Sequence, residues 1–223
     1  MILRKWQLGG LAGGLALLIA GASLSKVPQA SKGEDRAAVL QKRAALIRKL
    51  ETTIEKKQNI PPADGMLLKI VAESTRAQRV LEIGSSNGYS ALWIGQGLEN
   101  TGGHLWTIEI DAARAKECRE NIKEAGLDKV ITSIEGDAFQ EIPKLEGPFD
   151  MVFLKAWKKD YKRFLDLFLP MVKPGGVIVA HNTIESAADM KDYLDAVNDS
   201  PDLDSVTLST TKGKGITITY KKK

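Results

Sequence analysis

An α/β fold is predicted for this 223-residue chain: a Rossmann-like, doubly wound, seven-stranded sheet with one antiparallel strand, plus N-terminal helices. Three observations predict it. From Arg76 onward, short apolar runs alternate with amphipathic stretches. Such alternation builds a parallel sheet with right-handed crossovers and helices on both faces. Glycine-bearing turns follow several of the runs, as in "EIGSSNGYS". The last two runs, "DSVTLSTT" and "GITITY", have only "KGK" between them. That is too short for a crossover, so these two strands pair antiparallel.

The elements follow in order. Residues 1–25 read as an N-terminal membrane anchor or signal segment. Arg4 and Lys5 precede an uncharged stretch from Trp6 to Ser25 that contains five glycines. Ala20-Gly21-Ala22 fits a cleavage signature, which would mean export. Lys26, Lys32, Arg36, Lys42 and Arg43 crowd the far side and favour an anchor with a cytosolic main domain. Residues 26–35 are a polar linker, and 36–223 the main domain. Within it, helices occupy 36–75. Leu40, Ala44, Ile47, Leu50 and Ile54 recur at helical spacing from Asp35 to Lys57, before Pro61-Pro62. A second helix covers Ala63 to Ser74. The α/β core, 76–223, carries strands at "RVLEIG", "HLWTIEI", "KVITSIEG", "FDMVFL" and "GGVIVA". Helices lie at "GYSALWIGQGL", "DAARAKECRENIKEAG", "KDYKRFLDLFLPMV" and "SAADMKDYLDAVN", with a short one before Pro143.

Composition narrows the function. Net charge is +4, too mild to argue for nucleic acid. The single cysteine, Cys118, excludes an internal disulfide and reads as structural. The partner expected is a small-molecule acceptor, with membrane contact through the N-terminal segment and room for a homodimer.

Ligands of such sheets bind beyond the carboxyl ends of the strands, where strand order reverses. The first turn offers Glu82, Gly84 and Gly88. Its G-x-x-x-G spacing is neither the dinucleotide G-x-G-x-x-G nor a phosphate-cradling P-loop. The second strand ends in Glu109, with Asp111 two residues on; a carboxylate there can grip both ribose hydroxyls. The third ends in "EGDA", placing Asp137 where an adenine edge would lie. Each acid alone could be a helix start. Together, in this order, they indicate a nucleoside without a demand for phosphate binding, and S-adenosylmethionine fits.

The words "EIGSSNGYSALWI", "TIEID", "GDAFQEIPKL", "FDMVFLKAWKKDY" and "KPGGVIVAHN" carry a resemblance. Residues 60–223 resemble class I S-adenosylmethionine-dependent O-methyltransferases of the catechol and caffeoyl-CoA type. The resemblance implies that Gly84, Ser85, Ser86, Tyr89 and Ser90 surround the methionine and ribose parts of the cofactor. Glu109 would hold the ribose, Ile110 would pack on the adenine, and Asp137 and Ala138 would border it. Lys158 matches the proposed general base, and Trp157 a tryptophan walling the acceptor pocket.

One region departs. The family places an aspartate at the end of the fourth strand and Asp-Asn at the end of the fifth, and these hold a divalent cation. Here the positions read Lys155, His181 and Asn182. A protonated lysine about 4 Å from a divalent ion repels it by roughly 8 kcal/mol at an effective dielectric near 20. No bound divalent metal is therefore expected. Lys155 would replace the cation by stabilising a developing phenolate, and His181 would act as base or hold the acceptor. Blander readings stand beside these: a solvated Lys155, His181 capping the next helix, first-turn lysines at 158 and 159, and Trp157 as a packing residue. The activity expected is metal-independent O-methylation of a small hydroxylated, phenolic acceptor. A non-catalytic binder of the same cofactor and a nicotinamide-dependent oxidoreductase are the rivals.

Overall fold

The computed structural model describes residues 36–52, 59–210 and 213–223. The anchor or signal segment expected at 1–25 and the linker at 26–35 lie outside the described residues. Residues 34–223 form one compact unit. None of the described helices is long and apolar enough to cross a membrane.

Two helices come first, α1 (Arg36–Glu51) and α2 (Pro62–Ser74). The buried stripe of α1 is Arg43, Leu46, Ile47 and Leu50, so Ile47 and Leu50 are buried as expected and the expectation is corrected at Leu40 and Ala44. Leu40 is exposed and Ala44 faces outward. An arginine takes a core position because its charge is met there. Its guanidinium forks onto both Glu99 oxygens, at 2.5 and 3.1 Å, and donates to the Ala125 carbonyl at 2.9 Å. The part of the expected helix beyond Thr52 falls outside the described residues.

The core follows as β1 (Arg79–Ile83), α3 (Tyr89–Thr101), β2 (His104–Glu109), α4 (Ala112–Glu124), β3 (Ile131–Glu135), α5 (Ala138–Glu141), β4 (Phe149–Leu154), α6 (Tyr161–Phe168), β5 (Val172–His181), α7 (Lys191–Asp199), β6 (Leu203–Leu208) and β7 (Ile216–Lys221). The sheet order is β3-β2-β1-β4-β5-β7-β6. All pairs are parallel except β5–β7 and β6–β7, so β7 is the single reversed strand.

Strand side chains alternate between two cores. Val80, Met151, Phe153, Val177 and Val179 face the layer that holds Leu46, Leu68, Leu92 and Ile122. Leu81, Val152, Leu154, Ile178 and Ala180 face Phe164, Phe168, Tyr193 and Val197. Every residue of β4 is buried, as a central parallel strand requires. Truncating Phe153 to alanine would cost about 3–5 kcal/mol. The chain winds outward from β1 in one direction and from β4 in the other. The crevice between these two strand ends is therefore the switch point where such sheets bind ligands.

Candidate active site

At the end of β1 the backbone makes a tight turn. Gly84 has φ +91°, and a Cβ placed on it would come within 2.6 Å of the Lys155 carbonyl oxygen. Glycine is required there because the β1 turn lies against the end of β4. The cleft that opens beside it has a volume of about 280 Å³. Of the expected residues, Gly84, Ser86, Glu109, Ile110, Asp137, Ala138, Lys155 and Trp157 line it. Arg114, Phe139, Asp160 and Phe164 also line it and were not expected. Phe139 and Phe164 stack at 4.2 Å with rings 8° apart, forming an apolar wall. Ile110 and Trp157 stay about three-quarters exposed, at 72% and 73%, on the cleft lining. Trp157 is thus no packing residue.

Glu109 is nearly buried at the end of β2. One carboxylate oxygen accepts from the Ser86 N–H at 2.7 Å and the other from the Asp111 N–H at 3.1 Å. A carboxylate has about four lone-pair sites, so capacity remains for two hydroxyl donors. Asp111 itself caps α4 by accepting from Arg114 N–H at 2.9 Å. Asp137 caps α5, accepting from Phe139 N–H at 2.9 Å, while still lining the cleft.

Other expected cofactor residues sit behind this surface rather than on it. Ser85, Gly88, Tyr89 and Ser90 are buried. The Tyr89 hydroxyl donates to Glu51 at 3.2 Å. Glu82 is fully buried on β1 and accepts from Thr107 Oγ1 at 2.6 Å. Burial pushes its carboxyl pKa up; the Ser90 and Thr107 hydroxyls and the Lys155 ammonium pull it back. Yet Glu82 Oε1 and Ser90 Oγ close no well-formed hydrogen bond. The residues present fit S-adenosylmethionine, because Glu109 lines the cleft and keeps acceptor capacity for two hydroxyls.

The acceptor end is expected at the carboxyl ends of β4 and β5; of its residues Lys155 and Trp157 line the cleft, whereas Lys158, His181 and Asn182 are not part of its lining. Lys155 is partly buried, not solvated. Its pKa is lowered by desolvation, against which the Glu82 and Glu109 charges act. It belongs to the cofactor cleft as much as to the acceptor end. Lys158 sits in a short 3₁₀ turn. Its Nζ donates to the Tyr161 hydroxyl at 2.7 Å and to the Ala156 carbonyl at 3.2 Å. Desolvation, followed by repulsion from Lys155, brings its pKa down to about 7; Glu185 opposes this and Lys214 adds to it.

His181 ends β5 and is buried. It caps no helix, so that reading is corrected. Its Nε2 lies 3.0 Å from Asp64 Oδ2 on α2, and both side chains are almost fully enclosed. Burial lowers the imidazole pKa, with Asp64 pulling the other way. The ring is therefore neutral at pH 7 and donates Nε2–H to Asp64. Asn182 follows with φ +65°, a left-handed conformation uncommon outside glycine. Its Oδ1 and the Thr183 Oγ1 are buried without hydrogen-bond partners.

This donor set does not fit a magnesium-like ion, which needs oxygens in near-octahedral array. The β4 end supplies an amine and the β5 end an imidazole already committed to Asp64. Among the described residues, no group of three or more His, Cys, Asp or Glu side chains could hold a metal. Cys118 is buried, and burial pushes its thiol pKa up to about 11. That suits a structural residue.

Sequence comparison finds an O-methyltransferase family model matching residues 34–197. The chain is 35% identical over 130 residues to a catechol O-methyltransferase of Niastella koreensis, covering 56% of this chain and 58% of that one. It is 29% identical over 163 residues to a catechol O-methyltransferase of Mycobacterium tuberculosis, covering 68% and 74%. The O-methyltransferase TomG of Streptomyces achromogenes, solved with S-adenosylmethionine, superposes with a TM-score of 0.71 at 26% identity, over 86% of this chain and 92% of that one.

Proposed function

The chain belongs to the O-methyltransferase family, and from that premise we propose that it transfers the methyl group of S-adenosylmethionine to the hydroxyl of a small phenolic acceptor without a divalent ion. One observation carries the reading. Lys158, with its pKa brought to about 7, sits in the 3₁₀ turn directly after Trp157, and it is Trp157 that lines the cleft. A general base works best when its pKa lies near the operating pH.

S-adenosylmethionine, when bound, supplies an electrophilic methyl on a sulfonium. Glu109 and the Gly84 turn hold and orient the adenosine end. Trp157 and Ile110 shield apolar faces from water. Neutral Lys158 takes the proton from the acceptor hydroxyl as the oxygen forms its bond to carbon and the carbon–sulfur bond breaks. Charge arithmetic selects the acceptor. A phenol titrates near 10, about three units above Lys158, so full proton transfer costs about 4 kcal/mol. A hydroxyl as weakly acidic as water, near 15.7, would cost about 12 kcal/mol. The first gap is small enough to be crossed within the methyl-transfer step.

We also read residues 1–25 as an anchor that keeps the domain on the cytosolic side, near the cofactor supply. Its support is the excess of basic residues after the apolar stretch.

Calorimetric titration with S-adenosylmethionine, with and without Mg²⁺, tests the binding part. Radiolabelled methyl transfer to a panel of phenols tests the rest. Binding unchanged by Mg²⁺, together with label on a phenol, is expected. Binding without transfer to any phenol would leave a cofactor-binding protein.

A further inference from the structure

Tyr161 opens α6 and is fully buried. Its hydroxyl oxygen lies 3.0 Å from the Leu154 carbonyl oxygen, 3.1 Å from that of His181 and 2.7 Å from Lys158 Nζ. Leu154 and His181 are the last residues of β4 and β5. One buried hydroxyl therefore touches both strand ends of the acceptor side and the amine beside them.

We infer that Tyr161 is a positioning residue for Lys158, fixing its amine so that the lone pair of the neutral form faces the acceptor. This rests on the reading of Lys158 as the base and goes beyond it. A phenol has one hydrogen to give. Two backbone carbonyls, which can only accept, compete for it. With that hydrogen committed, the oxygen can only accept from Lys158. Desolvation holds the Tyr161 pKa well above its usual value, so the hydroxyl stays protonated while Lys158 titrates.

The amine is then fixed by counting. A neutral lysine has two N–H groups and one lone pair. Both N–H groups have fixed acceptors, the Tyr161 hydroxyl and the Ala156 carbonyl. The lone pair takes a remaining tetrahedral direction, away from both. Protonation adds a third N–H along that same direction. Proton uptake then requires no rotation of the side chain, which is what a preorganised base needs. Without the hydroxyl, the amine is held by one carbonyl and the lone pair sweeps around it.

A double-mutant cycle on the full chain tests this. Lys158→Ala is expected to lower kcat about 10²- to 10⁴-fold, the span of general-base catalysis. Tyr161→Phe is expected to lower kcat at least tenfold while leaving the Kd for S-adenosylmethionine within twofold. The double variant should be no slower than Lys158→Ala alone, because a positioning residue has nothing to position once the amine is gone. Losses that multiply would overturn the inference. If Lys158→Ala leaves kcat unchanged, the assignment of the base fails instead, and the two failures are distinct. Should Tyr161→Phe not fold, 3-fluorotyrosine replacement keeps the shape and weakens the hydroxyl oxygen as an acceptor. It should slow the wild type and not Lys158→Ala; equal slowing in both would overturn the inference.

Discussion

The two halves of the cleft are built on opposite principles. At the ends of β1 and β2, a glycine turn and acids present a rigid surface: Gly84 against the Lys155 carbonyl, and Glu109 clamped by two backbone N–H groups. At the ends of β4 and β5, Lys155 and a neutral His181 stand where the resemblance implied acids, and Lys158 lies beside them with a lowered pKa. Backbone shape dominates the first half and protonation state the second. A fixed nucleoside ligand constrains dihedrals and hydroxyl acceptors. A proton transfer needs only one group with a suitable pKa and a fixed direction, and more than one residue set can supply that.

Several variants would break this comparison or sharpen it. Lys158→Ala should have the largest effect on turnover, about 10²- to 10⁴-fold in kcat, with cofactor affinity unchanged; steady-state kinetics and calorimetry separate the two. Gly84→Val should do the reverse. Its added carbons collide with the Lys155 carbonyl at a left-handed φ, and the Kd for S-adenosylmethionine should rise at least tenfold. A variant at either end that moved both quantities equally would erase the distinction between the halves.

Smaller changes concern pH. Neutral Lys158 is the active form, so kcat/KM should rise as pH increases through about 7. The charged and titratable groups acting around Lys158 are Lys155, Glu185, Lys214, Tyr161 and His181. Lys155→Met removes a positive neighbour, favours protonated Lys158 and should move the rise to higher pH. Glu185→Gln removes a negative one and should move it to lower pH. An unmoved profile in both would mean that Lys158 is not the titrating group. Asp64→Asn keeps a carbonyl to accept from the His181 ring and should change kcat less than Asp64→Ala does, as read in parallel assays.

Much of this was legible in the residue order. The short apolar runs of β1, β4 and β5 set the sheet, and "KGK" forced the antiparallel turn. Boundaries slipped where 3₁₀ turns intervene, at Lys158–Asp160, Leu169–Met171 and Ala187–Met190. The helix expected from Lys159 begins at Tyr161, and β5 starts at Val172, before Pro174. Proline there is tolerated where the β4–β5 register shifts, between Phe149 and Met151. On α1, Ile47 and Leu50 face the core as expected, but a paired Arg43 takes the place expected for Leu40 and Ala44. The cofactor end was readable because its groups lie at strand ends in a fixed order. Asp64 was not, since it stands 117 residues from His181 and reads as a helix-start acid. Tyr161 reads as one more apolar position of α6. Only the folded register reveals that its hydroxyl meets two strand ends and an amine.

The central claim is that Lys158, titrating near neutrality, serves as the base for methyl transfer and that no divalent ion is needed. The pH dependence of kcat/KM, measured with EDTA and again with Mg²⁺, tests it most directly. The expected result is one rise with a midpoint near 7, superimposable in the two conditions. Activity abolished by EDTA and restored by Mg²⁺ would contradict it.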